Sequence, residues 1–106
     1  MTLIGNVNGK NVLIVDDMAD TAGTLIKSSE ILKENGANKI IACVTHGLFS
    51  KNAKEKIENS KIEKIIITDS IPQNSSKIVE VVSIAELFAE SIFRMTHGNS
   101  ISELFE

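Results

Sequence analysis

The chain carries a single cysteine, Cys43, so it can form no internal disulfide. Cys43 lies in the apolar run "IIACV", which predicts a packed core thiol rather than a reactive one, and a reducing cytosol is the expected compartment. Basic charge is also short: 11 Lys and Arg face 14 Asp and Glu, for a net charge of −3. A nucleic-acid or anionic-membrane partner, which wants a basic face, finds no support there. No apolar run approaches the roughly 20 residues of a membrane-spanning helix. The opening "MTLIGNVNGK" has neither the basic start nor the apolar length of a secretory signal. Internal repeats and low-complexity tracts are absent, and no "GxxxxGK[ST]" loop exists to serve a Walker-type nucleotide site.

What is present suits a soluble globular chain, with 42% hydrophobic and 24% charged residues. At 106 residues it is one domain or part of one, with a single core. The segments "TLIGNV" and "NVLIVDD" flank Asn8-Gly9, a turn signal that predicts an antiparallel hairpin. Val12 to Val15 is apolar throughout, the pattern of a strand buried on both faces. A helix is expected from Thr24 to Asn35, with Leu25, Ser28, Ser29 and Leu32 on one face and Gly36 as its stop. "KIIACVT" and "KIIIT" read as further strands, separated by a short polar helix in "SKNAKEKIENS" with Ser50 as its cap. The loop "DSIPQNSS" and a last strand, "KIVEVVS", follow. Ser83 then caps a helix whose Ile84, Leu87, Phe88, Ser91, Ile92 and Met95 recur at helical spacing. Strands alternating with helices predict an α/β fold: a three-layer, mainly parallel sheet, incomplete, with the N-terminal hairpin.

In such sheets ligands sit beyond the carboxyl ends of the strands. Asp16-Asp17, Thr45-His46 and Thr68-Asp69 are expected at three such ends, converging on one crevice. Adjacent carboxylates there are costly unless a cation, a donor or water offsets them. Three uses fit: a divalent metal, the vicinal hydroxyls of a sugar, or a solvated loop edge. The following "DTAGT" adds small residues at Ala22 and Gly23, which let backbone approach a ligand, and hydroxyls at Thr21 and Thr24. The next helix aims its free N–H groups at the same place, so the turn is a phosphate site. Acids for hydroxyls beside amides for a phosphate describe a sugar phosphate. Asp20 reads either as a helix cap or as a hydroxyl- or base-binding acid. His46 is placed either in the crevice or at the core edge, and His97 in a capping role after Arg94. No set of His, Cys and acids has zinc-site spacing.

"VLIVDDMADTAGT" resembles the phosphoribosyl-diphosphate binding motif of the type I phosphoribosyltransferase fold. Together with "LKENGANKIIACVTHGLFS", "IIITDSIPQ" and "AELFAESIFRMTHGNSISELF", it makes nearly the whole chain similar to the ribose-phosphate diphosphokinase family. The resemblance implies transfer of diphosphate from MgATP to the anomeric hydroxyl of ribose 5-phosphate, with Mg2+ reaching the site through the ligand. It implies that Asp16 and Asp17 hold the ribose hydroxyls and that Asp20, Thr21, Ala22, Gly23 and Thr24 wrap the 5-phosphate. Ala22 stands where relatives often have Gly or Cys, an exchange expected to be harmless because backbone N–H does the binding. Ser100, Ser102 and Phe105 match positions lining an allosteric anion site between subunits in some relatives; a frayed C-terminus is the plainer reading of that tail. The family's hexamers, built from dimers, imply a homo-oligomer. Residues 1–106 are expected to be the C-terminal part of the phosphoribosyltransferase-like domain, without the N-terminal domain, the ATP site and the mobile catalytic loop. The chain is therefore expected to be inactive alone. A receiver-type phosphorylation domain shares "LIVDD" but lacks its later acceptor Asp and lysine here. A noncatalytic regulatory subunit is the nearer alternative, although its acid motif is typically disturbed.

Overall fold

The computed structural model describes residues 3–105, which form four strands, three α-helices and a terminal 3-10 turn. In chain order these are β1 (Val12–Ala19), α1 (Gly23–Glu34), β2 (Ile40–Gly47), α2 (Ala53–Glu58), β3 (Lys64–Thr68), β4 (Val79–Val82) and α3 (Ala85–Thr96). All neighbouring strands pair in parallel, in the spatial order β1-β2-β3-β4. The expected α/β parallel sheet is therefore the fold. Register runs from Val12 opposite Ile40 to Ala19 opposite Gly47, which brings the ends of β1 and β2 together.

Side chains alternate across a strand, and one face of this sheet holds the core. Ile40, Ala42, Val44, Ile65, Ile67 and Val79 are buried there against Leu25 and Leu32 of α1 and Ala53 and Ile57 of α2. Each of the buried Ile, Leu and Val side chains contributes about 1.5–3 kcal/mol by leaving water. Ser29, fully buried on α1, donates to the Ile26 carbonyl at 2.6 Å and so carries no unmet polar group into the core. Both helices lie on this face because right-handed crossovers between successively added strands put them on one side.

The opposite face explains two departures from expectation. Leu13 (58% exposed) and Val15 (73%) on β1, and Val82 (50%) on β4, look outward. Cys43, on the same face, is half-buried rather than a packed core thiol. β1 is an edge strand covered on one side, not a central strand buried on both, so the sheet has an open face among the described residues. The apolar run correctly marked a strand that wants two covered faces.

The N-terminal hairpin does not form. Thr2 lies outside the described residues, and residues 3–7 adopt no strand. Asn8-Gly9 does turn the chain, with Lys10 N–H donating to Val7 at 2.9 Å. That turn docks on the end of α1: Gly9 N–H donates to the Gly36 carbonyl at 2.8 Å. Gly36 has φ 88°, and a Cβ there would sit 2.2 Å from Asn8 Oδ1, so only glycine both ends α1 and accepts the turn.

α3 stands apart. It has the expected apolar stripe, yet none of its 12 residues is buried; Phe88 and Ile92 are 57% and 63% exposed. Its start is tied to β3, because Asp69 Oδ1 accepts the Ile84 N–H at 2.9 Å, while Ser83 Oγ accepts from Ala85 at 3.2 Å. The Ile84 N–H first, and a hydrogen bond from the Ser83 side chain next, hold the Asp69 carboxyl below the usual aspartate range.

Urea unfolding will separate the two faces. Ile65→Ala on the covered face is expected to lose about 2–5 kcal/mol, and Val15→Ala on the open face less than about 0.5 kcal/mol; equal losses would mean that the open face is covered in solution. The Asp69 tie should be complete above the ordinary aspartate pKa of about 3.9 and be lost as pH falls below it. An acid titration of the Ile84 amide resonance should show this step, and Asp69→Asn should abolish it.

Candidate functional site

β1 extends through Ala19, so Asp16 and Asp17 lie within the strand rather than beyond its end. Alternation then sends the two carboxylates to opposite faces: Asp16 shares the side of Ile14 and Met18, and Asp17 that of Val15. Both are exposed, and the Asp17 N–H donates to Asp16 Oδ1 at 2.8 Å. Asp16 lines a cleft of about 270 Å³ with Met18, Asp20, Thr21, Gly23 and Thr24, while Ala19, Ala22 and Leu25 anchor its floor in the core. Asp17 is not among the lining residues.

The floor of this cleft is the start of α1. Ala22 occupies the N-cap position in the left-handed region, φ 67° and ψ 10°, and no side chain caps the helix. The first intrahelical bond runs from Ile26 N–H to the Ala22 carbonyl at 2.9 Å. The amides of Gly23, Thr24 and Leu25 precede it and point out of the helix end. A Cβ built on Gly23 would meet only Thr21 Oγ1, at 4.0 Å, so the space above this backbone is open to a ligand. Ala22 is less innocent than its N–H suggests: a non-glycine residue in this region costs roughly 1–2 kcal/mol, and its burial at 6% exposure holds it there.

A second loop braces the first. Leu48 and Phe49 N–H groups both donate to the Ala19 carbonyl, at 2.9 and 3.2 Å, and Ser50 N–H donates to the Asp20 carbonyl at 3.0 Å. The Ser50 hydroxyl donates to Asp20 Oδ1. Ser50 is thus no cap for α2; Asn52 holds that position, with φ 62°. Gln73 supports the loop from beyond, donating to the Gly47 and Leu48 carbonyls at 2.9 and 3.1 Å. Sequence reasoning missed both Ser50 and Gln73 in these roles. The only signal was the small-polar run after β2, which reads equally well as a helix start.

Of the three expected strand ends, Asp16, Thr45 and Thr68 together line a second pocket of about 260 Å³, which Asp17, His46 and Asp69 do not join. Thr68 Oγ1 donates to the Thr45 carbonyl at 2.6 Å, and His46 Nδ1 pairs with Ser70 Oγ at 2.7 Å, so this cluster satisfies itself. His46 lies at the core edge, with a side-chain partner rather than a backbone one, and Asp69 turns away to α3. His97 sits at the C-cap of α3, with Nδ1 2.8 Å from the Phe93 carbonyl and its ring stacked on Phe93 at 4.1 Å.

The tail is tied, not frayed. Arg94 Nη1 donates to the Ser100 carbonyl at 2.8 Å and to Glu103 at 3.1 Å, and Ser100 and Ser102 hydroxyls pair at 2.9 Å. Residues Ser102–Phe105 form a 3-10 turn in which Phe105 is 71% exposed. This end of the molecule shares no lining residue with the β1–α1 cleft. Among the described residues, no three His, Cys, Asp or Glu side chains gather as a metal cage, and no helix is long and apolar enough to cross a membrane.

Comparisons with known proteins agree with this geometry. The family model described as the phosphoribosyl synthetase-associated domain matches residues 1–106. The chain is 47% identical over 107 residues to the ribose-phosphate pyrophosphokinase of Aquifex aeolicus, covering 99% of this chain and 34% of that protein. It is 46% identical over 106 residues to ribose-phosphate pyrophosphokinase 4 of Saccharomyces cerevisiae, covering 99% and 32%. The crystal structure of phosphoribosylpyrophosphate synthetase from Mycobacterium smegmatis superposes with a TM-score of 0.84 at 32% identity, over 91% of this chain and 33% of that one. The chain thus spans about a third of the length of the curated relatives it matches. An α/β sheet ending in an uncapped helix, matched along its whole length by one family, leads to one assignment: the chain belongs to the phosphoribosyl synthetase-associated domain family.

Proposed function

We propose that this chain supplies the ribose 5-phosphate half of a ribose-phosphate diphosphokinase site. The observation that carries the reading is the uncapped start of α1, where the amides of Gly23, Thr24 and Leu25 open into a cleft bordered by Asp16. An anion is what such a terminus wants. The helix dipole adds only about 0.3–1 kcal/mol, so most of the affinity comes from several oriented N–H bonds. The cleft, at about 270 Å³, is smaller than the roughly 300–1,000 Å³ of drug-sized sites, a scale suited to a small metabolite.

In this proposal the backbone of the loop Asp20 to Thr24 wraps the 5-phosphate, and Thr21 and Thr24 add hydroxyl donors. Asp16, the cleft-side member of the acid pair, accepts from the ribose hydroxyls; Asp17, on the other face of β1, does not line the cleft. The anomeric hydroxyl is then left facing outward, toward the MgATP that would donate its terminal diphosphate. Magnesium takes oxygen ligands and commonly keeps one or two carboxylates plus substrate phosphates. In this proposal magnesium reaches the site through the ligand's oxygens, near Asp16 and Asp17, with no direct ligand from this chain. MgATP binding, charge stabilisation on the diphosphate in flight and homo-oligomer assembly are assigned to the longer enzyme. There this chain is placed, on the order of its motifs, as the C-terminal part of the phosphoribosyltransferase-like domain. The allosteric assignment of Ser100, Ser102 and Phe105 is carried in the same way. A cytoplasmic setting is consistent with the single unpaired cysteine. The intact acid pair favours this reading over a noncatalytic regulatory subunit.

Ribose 5-phosphate added to the 15N-labelled chain is expected to move the amide signals of Thr21 to Thr24. Asp16→Asn should weaken ribose 5-phosphate binding about tenfold, the scale of a charged hydrogen bond, while leaving inorganic phosphate nearly unaffected. Equal loss on both ligands would remove the diol assignment. Supplied with MgATP and ribose 5-phosphate, the chain alone should release no AMP above background. Turnover would show that it carries more of the active site than proposed.

A further inference from the structure

The loop after β2 has an unusual backbone. Phe49, Lys51 and Asn52 have φ of 54°, 52° and 62°, three non-glycine residues in the left-handed region within four positions. Strain of this kind persists only where surrounding contacts over-determine it, and it concentrates at functional sites. Here the contacts are plain. The loop is pinned to the Ala19 and Asp20 carbonyls on one side and by Gln73 on the other. Gly47 has no Cβ, and one built there would fall 2.8 Å from Phe49 Cε2, so glycine is needed for the Phe49 ring to fold back beneath it. The outcome of this bracing is that the Ser50 hydroxyl meets Asp20 Oδ1.

The placement of Asp20 poses a problem that Ser50 solves. Asp20 lines the same cleft as the open amides of Gly23 and Thr24. A carboxylate beside a helix start is drawn to those N–H groups by both hydrogen bonding and the dipole, as in ordinary N-capping. If Asp20 capped α1, it would occupy the site an incoming phosphate needs and repel that phosphate by charge. Yet no side chain caps α1. Among the described residues, Ser50 is the side-chain partner of the Asp20 carboxylate. We propose that Ser50 is a positioning residue: it holds the Asp20 carboxylate off the start of α1 and so keeps the cradle amides available to the ligand phosphate. This rests on the phosphate-site reading above and adds to it a residue on a different loop.

The test is a titration of the 15N-labelled chain with inorganic phosphate, followed at the Gly23 and Thr24 amides. Ser50→Ala and Ser50→Val, which lose the hydroxyl, should each weaken phosphate binding about tenfold, the scale of one cap; Ser50→Thr should bind as the wild type does. The decisive variant is the double substitution Asp20→Ala with Ser50→Ala. It should bind phosphate more tightly than Ser50→Ala alone, because the competing carboxylate is gone. A merely structural Ser50 would leave the double variant no better than the single one, and that result would overturn the proposal. So would undiminished binding by Ser50→Ala or Ser50→Val. If the wild-type amides do not respond to phosphate at all, the site reading itself falls, and this inference with it.

Discussion

Two backbone N–H groups, those of Leu48 and Phe49, converge on the carbonyl of Ala19, and the rest of the cleft depends on that convergence. It is possible because β1 and β2 are in register to their last pair, Ala19 opposite Gly47. Shifted by one residue, the side chains of β1 would exchange faces and the core would lose Ile14. As built, both strands end together, and their following loops leave side by side. One becomes the turn into the uncapped start of α1 and the other its brace. Ala19 and Ala22 are both buried, so the left-handed turn between strand and helix is held from beneath by the core and from the side by the second loop. The chemistry of the helix start is thus a consequence of sheet register.

Much of this was legible in the residues. "KIIIT" marked β3 to the residue, and Leu25, Ser29 and Leu32 marked the buried face of α1. Gly36 marked where α1 stops, because only a left-handed residue lets the chain turn there. The small-residue turn between β1 and α1 was readable for the same reason: small residues after a strand leave few alternatives. Other features escaped because the deciding partner lies far along the chain. Asn8-Gly9 carries a local hairpin signal, but a distant Gly36 carbonyl captured the turn. Ser50 carries a capping signal, but Asp20, 30 residues earlier, captured its hydroxyl. Asp69 looked like a crevice acid until the start of α3 claimed it. In each case local propensity was sound and a tertiary hydrogen bond overrode it.

The acid pair illustrates a different limit. "DD" invites a reading in which both carboxylates act together, yet an extended strand sends consecutive side chains to opposite sides. Because β1 continues to Ala19, only Asp16 looks into the cleft. The point at which β1 ends decides the partition, and strand ends are the part of a sequence pattern that hydrophobicity defines least, since polar residues can continue a ladder whose neighbour continues too.

The strand order has a consequence for how the site comes into being. Each strand lies beside the one made just before it, so every pairing closes over a short stretch of chain, the arrangement that folds fastest. Every residue that lines the cleft or is described as hydrogen-bonding to its loop, from Asp16 to Ser50, belongs to the first strand–helix–strand unit and the turn after it. On a ribosome that unit can assemble while the second half of the chain is still being synthesised. The cleft and the start of α1 would then form before α3 and its tail are added.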